Sequence, residues 1–280
     1  MKISIITPVY NAVNTIEKTI LSVINQQIEF QLEYIIVDGK SNDGTIEIIK
    51  KYFNRISVFI SETDKGVYDA MNKGLAIATG DIIGIINADD WYNDGAFKIV
   101  EKTFLDNTNI EISYSPIHNY FNNEYLNTFV PGSLENLIFK FTINHPSCFV
   151  RKEVYQKVGI FDLKYSMAAD YDFIFRAYTM GINFYHINTP LVSYSLNGVT
   201  GKPLTKFKQI YESWKVASSF VDKKSNFFLK KRLIFYIVWM LKELLALPIK
   251  LLIKPHLARK LKSYIRSILG GLPADKYGAW

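Results

Sequence analysis

The chain has 280 residues, of which 49% are hydrophobic, 21% charged and 15% aromatic, and it carries a net charge of +7. That composition excludes a disordered or fibrous chain and allows one α/β core with an appendage. The single cysteine, Cys148, excludes an internal disulfide; flanked by Ser147 and Phe149-Val150, it reads as a packed strand residue rather than a nucleophile.

In chain order, Lys2 to Thr7 is expected to be a strand, followed by a helix with Ile16, Ile20, Val23 and Ile24 at helical spacing. The opening reaches Pro8 without the apolar stretch of a signal peptide, so a cytoplasmic location is expected. Tyr34 to Asp38 is a second strand, with a turn and a helix carrying Ile46, Ile48, Ile49 and Tyr52 behind it. Ser57 to Ile60 is a third strand, Asp69 to Ala78 a helix ended near Gly80, and Asp81 to Ile86 a fourth strand. This alternation predicts a mostly parallel sheet flanked by helices.

The fourth strand carries the most chemical information. Ile82-Ile83-Gly84-Ile85-Ile86 is apolar enough to be buried on both faces, and it stops on Asn87-Ala88-Asp89-Asp90. Buried strands do not hold unpaired carboxylates, so Asp89 and Asp90 belong in the crevice at the carboxyl edge of the sheet. Hard oxygen donors there suit Mg²⁺ or Mn²⁺ carrying a phosphate, with Lys65 as an additional cation. The alternative for the pair is a cap on the helix starting near Gly95, a place that Asp94 could also fill. Neither GxGxxG after the first strand nor GxxxxGK[ST] is present, which removes the dinucleotide and P-loop modes of phosphate binding. Asp38 is either an acceptor for a base or ribose or a turn residue before Gly39, and Tyr10-Asn11 either supports a base or caps a loop. Asp43-Gly44-Thr45 reads as a turn and helix start.

Glu111 to Phe129 is less regular and suits a strand pair or a flap. Helices are expected over Arg151 to Val158, ended by Gly159, and over Asp170 to Met180, stopped by Gly181, with Phe173, Ile174, Ala177 and Tyr178 on the apolar face. From about Thr205 the chain reads as helices broken near Pro248 and Pro255. Residues 222–280 hold thirteen Lys or Arg against three carboxylates, a net of +10, so residues 1–221 hold −3. Apolar blocks such as Leu233 to Leu241 alternate with those cations. The pattern suits a helix pair on an anionic membrane surface, or a helical layer packed on the first domain. No run of some 18 uncharged apolar residues is present for a spanning helix.

Four ordered segments, Thr7-Pro8-Val9-Tyr10-Asn11, Tyr34 to Thr45, Asp64-Lys65-Gly66-Val67-Tyr68-Asp69-Ala70-Met71-Asn72-Lys73-Gly74 and Asn87-Ala88-Asp89-Asp90, resemble family 2 glycosyltransferases of the GT-A fold over about residues 1–200. The resemblance implies a Rossmann-like central sheet in a catalytic domain of residues 1–204. Residues 1–110 would be its nucleotide-sugar half and 111–204 its acceptor half, with 205–280 a basic helical extension. It implies inverting, metal-dependent transfer of a sugar from a nucleotide diphosphate sugar, with UDP expected, to a glycan hydroxyl. Thr7, Pro8, Tyr10 and Asp38 would line the nucleoside pocket, with Asn72 and Lys65 near it or the diphosphate.

Asn87-Ala88-Asp89 corresponds to the DXD motif of that family, with Asp89 the metal ligand; Asn87 replaces the commoner aspartate and brings no charge. Asp170, in Ala169-Asp170-Tyr171-Asp172, stands where similar enzymes carry Glu-Asp, and the resemblance makes it the base that deprotonates the acceptor. From the residues alone it could be a helix N-cap, with Asp172 pairing Arg176 one turn on. His145-Pro146-Ser147 resembles a segment preceding that base, so His145 either orients a sugar or the leaving diphosphate or is structural; Asp90 is a further candidate contact. Gly198-Val199-Thr200 resembles the close of the catalytic domain. The expected partners are a nucleotide diphosphate sugar, a glycan or polyprenyl-linked acceptor and an anionic membrane surface, with no nucleic acid. A surface polysaccharide such as an O-antigen would be the product, made by a peripheral protein on the inner membrane face. A sugar nucleotidyltransferase and a noncatalytic nucleic-acid-binding protein are the alternatives.

Overall fold

A computed structural model describes residues 1–198, 205–220 and 226–252. They divide into two compact units: Met1–Val130 with Ile143–Leu196, and Pro131–Thr142 with the residues from Asn197 on.

The first unit is built on β1 (Lys2–Val9), β2 (Gln31–Asp38), β3 (Val58–Ser61) and β4 (Ile82–Ile85), linked by helices α1 (Ile16–Ile24), α2 (Thr45–Lys50) and α3 (Val67–Ile77). These are the elements expected from the sequence with shifted bounds: β1 runs two residues further, β2 starts three residues earlier and α3 two, and β3 and β4 shift by one residue at each end. β1 lies between β2 and β4 and is parallel to both, and β3 extends the sheet beyond β2. Ile3, Ile5, Ile6, Ile35, Ile36, Ile82 and Ile83 have almost no exposed surface, because helices cover both faces.

β5 (Trp91–Tyr92) and α4 (Ala96–Asp106) follow. Neither Asp89-Asp90 nor Asp94 caps α4. Its N-cap is Gly95, in the left-handed region at φ 74°, and the side chain that bonds the first turn is that of Gln26, whose Oε1 accepts from Phe97 N at 3.3 Å. Next come β6 (Ile112–Tyr114), β7 (Ile117–Phe121) and β8 (Glu124–Phe129). Of the two readings left open for this stretch, the strand pair is the one seen: β7 and β8 form an antiparallel hairpin around Asn122 and Asn123, both at positive φ. β9 (Phe149–Arg151) then inserts between β4 and β6, antiparallel to each. After α5 (Lys152–Val158) and α6 (Ala169–Thr179), β10 (Phe184–His186) completes a seven-stranded sheet of order β10-β6-β9-β4-β1-β2-β3. β11 (Val192–Ser195) joins β5, β7 and β8 in a second, four-stranded sheet.

In the second unit, α7 (Thr205–Ser219) packs on α8 (Asn226–Leu252). Arg232 is 4% exposed and donates from Nη1 to the Ala217 carbonyl and from Nη2 to Ser218 Oγ. The break expected at Pro248 does not occur: α8 runs through it. A proline removes one helix bond and crowds one carbonyl, and the surrounding Leu, Lys and Ala favour helix strongly enough to continue. Pro255, Val199-Thr200 and the basic stretch from residue 253 lie outside the described residues. Among the described residues no helix is long and apolar enough to cross a membrane.

Candidate active site

β1, β2, β3 and β4 all end on one edge of the main sheet, so the loops after Val9, Asp38, Ser61 and Ile85 converge there. The first two loops are bonded to each other. Asn11 N donates to Ser41 Oγ at 2.8 Å, Asn42 N to Asn11 Oδ1 at 3.0 Å and Ala12 N to Thr45 Oγ1 at 2.7 Å. Asn11 and Lys40 sit at φ 48° and 64°, left-handed conformations sustained by this lattice of bonds. Asp43 accepts from Thr45 N and Val13 N, the turn role expected for it.

Within this frame the sequence-predicted residues separate by exposure. Tyr10 is 63% exposed on the edge. Pro8 is buried, and Thr7 faces the core with Oγ1 3.2 Å from the Tyr34 hydroxyl, so Thr7 offers a ligand no side-chain surface. Asp38 is likewise fully buried; its carboxylate accepts from Ser41 N and from Ser61 Oγ at 2.6 Å. These bonds are those of the turn reading of Asp38. Lys65 is exposed. Asn72 is half-buried; its amide donates to the Phe161 carbonyl at 2.9 Å and its oxygen accepts from Phe161 N, which ties α3 to the segment before α6.

The loop after β4 sets its two carboxylates apart. Asp90 has no exposed surface and accepts from Asn87 Nδ2 at 3.0 Å and Ser195 N at 2.8 Å. Burial and then the Asp89 charge push its carboxyl well above the usual range. Asp90 braces the loop against β11. Asp89 keeps part of its surface in the open; burial raises its carboxyl, while the charge of His145 acts in the opposite sense. Ala88 is buried, and Asn87 is half-buried and occupied with Asp90.

Because β9 runs opposite to its neighbours, the residues entering it arrive at the edge where the parallel strands end, and they bring His145. His145 Nδ1 lies 3.3 Å from Asp170 Oδ2. Asp170 Oδ1 accepts from the Tyr68 hydroxyl at 2.9 Å and from Tyr171 N at 2.9 Å. Ala168, not Asp170, is the N-cap of α6, so the capping alternative for Asp170 is not what the fold uses. Asp172 pairs with Arg176, whose Nε lies 2.8 Å from Oδ2; the same guanidinium donates to the carbonyls of Val158 and Ile160. Behind Asp170, rings of Tyr68, Phe161, Phe173 and Tyr155 pack in sequence at centroid separations of 5.6, 5.5 and 4.8 Å. Cys148 is buried beside them, its thiol pushed up by burial and then by the Asp170 charge, as an inert core residue should be. Nε2 of His145 is buried and has no hydrogen-bond partner.

His145 stands beside Asp170 Oδ2, and its charge acts on the partly open Asp89. Among the described residues no three His, Cys, Asp or Glu side chains cluster as a metal cage. A single carboxylate fits a divalent cation that takes its remaining ligands from phosphate and water, as Mg²⁺ commonly does. Tyr68 and Asn72 were the residues whose actual bonds the sequence could not disclose: both contacts join segments about 90–100 positions apart.

Comparison with known proteins identifies the family and agrees with the fold. The family model described as "Glycosyl transferase family 2" matches residues 4–161. A PGL/p-HBAD biosynthesis glycosyltransferase of Mycobacterium bovis is 29% identical over 181 residues, 63% of this chain and 69% of that protein. In structure, S. aureus TarS 1-349 in complex with UDP superposes with TM-score 0.61 at 20% identity, covering 78% of this chain and 65% of that one. The chain spans 39% of the longer TarS chain. A mannosyltransferase from Pyrobaculum calidifontis in complex with GDP-Man and Mn²⁺ gives TM-score 0.63 at 17% identity, covering 97% and 81%.

Proposed function

Because the chain belongs to glycosyltransferase family 2, we propose that it transfers a sugar, with inversion, from a UDP-sugar to a hydroxyl of a lipid-linked glycan during surface polysaccharide synthesis. The observation that carries this reading is Asp170, held on one oxygen by Tyr68 and Tyr171 N and presenting the other beside His145 at the edge where Asp89 opens.

Asp170 Oδ2 takes the proton of the acceptor hydroxyl as that oxygen attacks the anomeric carbon. The bond from this carbon to the diphosphate breaks on the opposite face, so the configuration inverts and UDP leaves with the bonding electron pair. The proton then passes from Asp170 to solvent. Asp89 would hold Mn²⁺ or Mg²⁺, which when bound supplies positive charge to the departing diphosphate. His145, through its unpaired Nε2, can donate to the diphosphate or to the sugar while Nδ1 keeps the base in place. Residues 1–110 serve the donor and 111–204 the acceptor.

The lipid-linked acceptor and a position on the cytoplasmic face of the membrane are supported by α8. Leu233, Ile234, Ile237, Val238, Leu241, Leu244 and Leu245 are all about half exposed or more, a continuous apolar stripe at helical spacing beside exposed Lys230 and Lys242.

Calorimetric titration with UDP, with Mn²⁺ or with EDTA, tests the donor site. Asp89→Ala should abolish the metal-dependent part of binding. Asp170→Asn should leave UDP affinity unchanged while transfer falls about 10³-fold. Transfer at the wild-type rate in the Asp170 variant would overturn the assignment.

A further inference from the structure

The second sheet presents an aromatic face with no part in the proton transfer or in donor binding. In its register Trp91 stands beside Ser193, Ser193 beside His118 and Ser195 beside Tyr120, so Trp91, His118 and Tyr120 share one face. Tyr92, Ile117 and Val192 share the other and are buried in the core. On the open face the rings form a row. Trp91 packs on Tyr120 at a centroid separation of 4.8 Å, Tyr120 on Tyr125 at 5.9 Å and Tyr125 on His118 at 5.5 Å. Tyr125 is 54% exposed, and its hydroxyl lies 2.9 Å from Thr128 Oγ1, which is also 2.9 Å from His118 Nδ1. These bonds hold the far end of the row in one orientation. Its near end, Trp91, directly follows Asp90, so the face continues the edge that carries Asp89.

Lys18 stands at the near end, with Nζ 3.0 Å from the centre of the Trp91 ring and 5.9 Å from that of Tyr120. Three features count against a cation there. Lys18 lies in the first turn of α1, where the helix dipole disfavours positive charge. Partial burial pushes its ammonium down from the ordinary value. Among the described residues no carboxylate pairs with it, since the adjacent Glu17 is engaged by the Tyr52 hydroxyl and by Lys51. The Trp91 ring offsets part of this cost, and an anionic ligand would offset the rest. We propose, on the basis of the transferase reading, that this face binds the saccharide chain of the acceptor and that the chain is acidic: pyranose rings lie on Tyr120 and Tyr125 while a sugar carboxylate pairs with Lys18. A pyranose turns a face of C–H bonds toward the negative face of an aromatic ring and keeps its hydroxyls at the rim, where the Tyr125 and Thr128 oxygens stand. A purely apolar partner would cover the same rings but leave those oxygens and the ammonium without partners.

The test is a printed array of bacterial capsular and O-antigen oligosaccharides, acidic and neutral, with each acidic one also present in carboxyl-reduced form, probed with the fluorescently labelled full chain. The wild-type chain should bind acidic glycans about 10-fold more tightly than their carboxyl-reduced forms. Lys18→Gln should erase that preference. Tyr125→Ala, which removes an exposed ring and no core contact, should weaken every bound glycan about 10-fold. Both variants should keep the wild-type affinity for UDP with Mn²⁺ in calorimetry, which shows that each is folded. A Lys18→Gln chain that keeps the preference, a wild-type chain that binds neutral glycans equally well, or one that binds UDP but no glycan overturns the assignment and leaves the donor reading in place. A wild-type chain that binds acidic glycans through Lys18 but no UDP supports this face and overturns the donor reading.

Discussion

Tyr68 commits its hydroxyl to Asp170, a residue 102 positions away, and its ring to Phe161. Removing that hydroxyl leaves the ring packing intact and frees one base oxygen to rotate away from its working direction. Tyr68→Phe should therefore lower kcat about 10-fold with donor affinity unchanged. On the Asp170→Asn background it should cost nothing more, because the two residues act as one unit; additive losses in that double variant would assign Tyr68 a structural role instead. Residue types and order in the sequence were enough to bring Asp89, Asp170, His145 and Tyr10 to one edge. They were not enough to say which way each carboxylate points. Asp38 ends a strand, and only the bonds from Ser41 and Ser61 decide that it is buried. Asp89 and Asp90 are adjacent and chemically identical, yet Ser195, over a hundred residues on, draws only Asp90 inward.

Elements were legible where their pattern was local. The apolar runs of β1, β2 and β4 and the helical spacing in α1 and α6 need no partner to be recognised. β9 has three residues and no periodicity of its own, and its antiparallel insertion depends on β4 and β6 offering free edges. Its position explains Gly84. A Cβ there would stand 2.8 Å from Phe149, 2.9 Å from Ile5 and 3.0 Å from the Tyr92 hydroxyl, so Gly84→Ala should destabilise the fold by about 1–3 kcal/mol in chemical denaturation.

β1 and β2 are also joined to the turn before β4 by Glu33, which accepts from Lys2 Nζ, Ser4 Oγ and both Thr79 donors. Burial alone would raise its carboxyl, but these bonds outweigh burial and hold it down at about 2, against an ordinary value of 4.5. A depressed folded value means stability that is complete above pH 4.5 and disappears as pH falls toward 2, worth on the order of 3 kcal/mol. Glu33→Gln should lower the melting temperature at pH 7 and flatten its decline between pH 5 and pH 2; a parallel decline in both proteins would refute this.

At the scale of the molecule, charge and hydrophobicity are segregated: residues 1–221 are mildly acidic and 222–280 strongly basic. The apolar stripe of α8 lies opposite Arg232 and Tyr236, which are buried, so the helix has one face in its own unit and one in contact with solvent. Ile234→Glu with Val238→Glu should weaken binding to anionic vesicles by roughly 1.5 kcal/mol or more per side chain in co-sedimentation, and neutral vesicles should bind less than anionic ones. Equal binding by the double variant would remove α8 from the membrane reading. The alternation of apolar blocks and cations is legible in the sequence, but the exposed stripe itself follows from which side of α8 packs on α7.

The reversed strand also imposes an order of events on synthesis. β4 pairs with β1 as soon as both have left the ribosome, but its other edge waits for Phe149, 65 residues after Gly84 in the register. At some 5–20 residues per second, that edge stays open for roughly 3–13 s on every nascent chain. During that interval an Ile-rich strand exposes unpaired backbone groups, the kind of template on which neighbouring chains join. The main sheet thus begins life with a seam, and closing that seam is the same step that delivers His145 to the site: a chain cannot protect its sheet without also assembling the edge that carries Asp89.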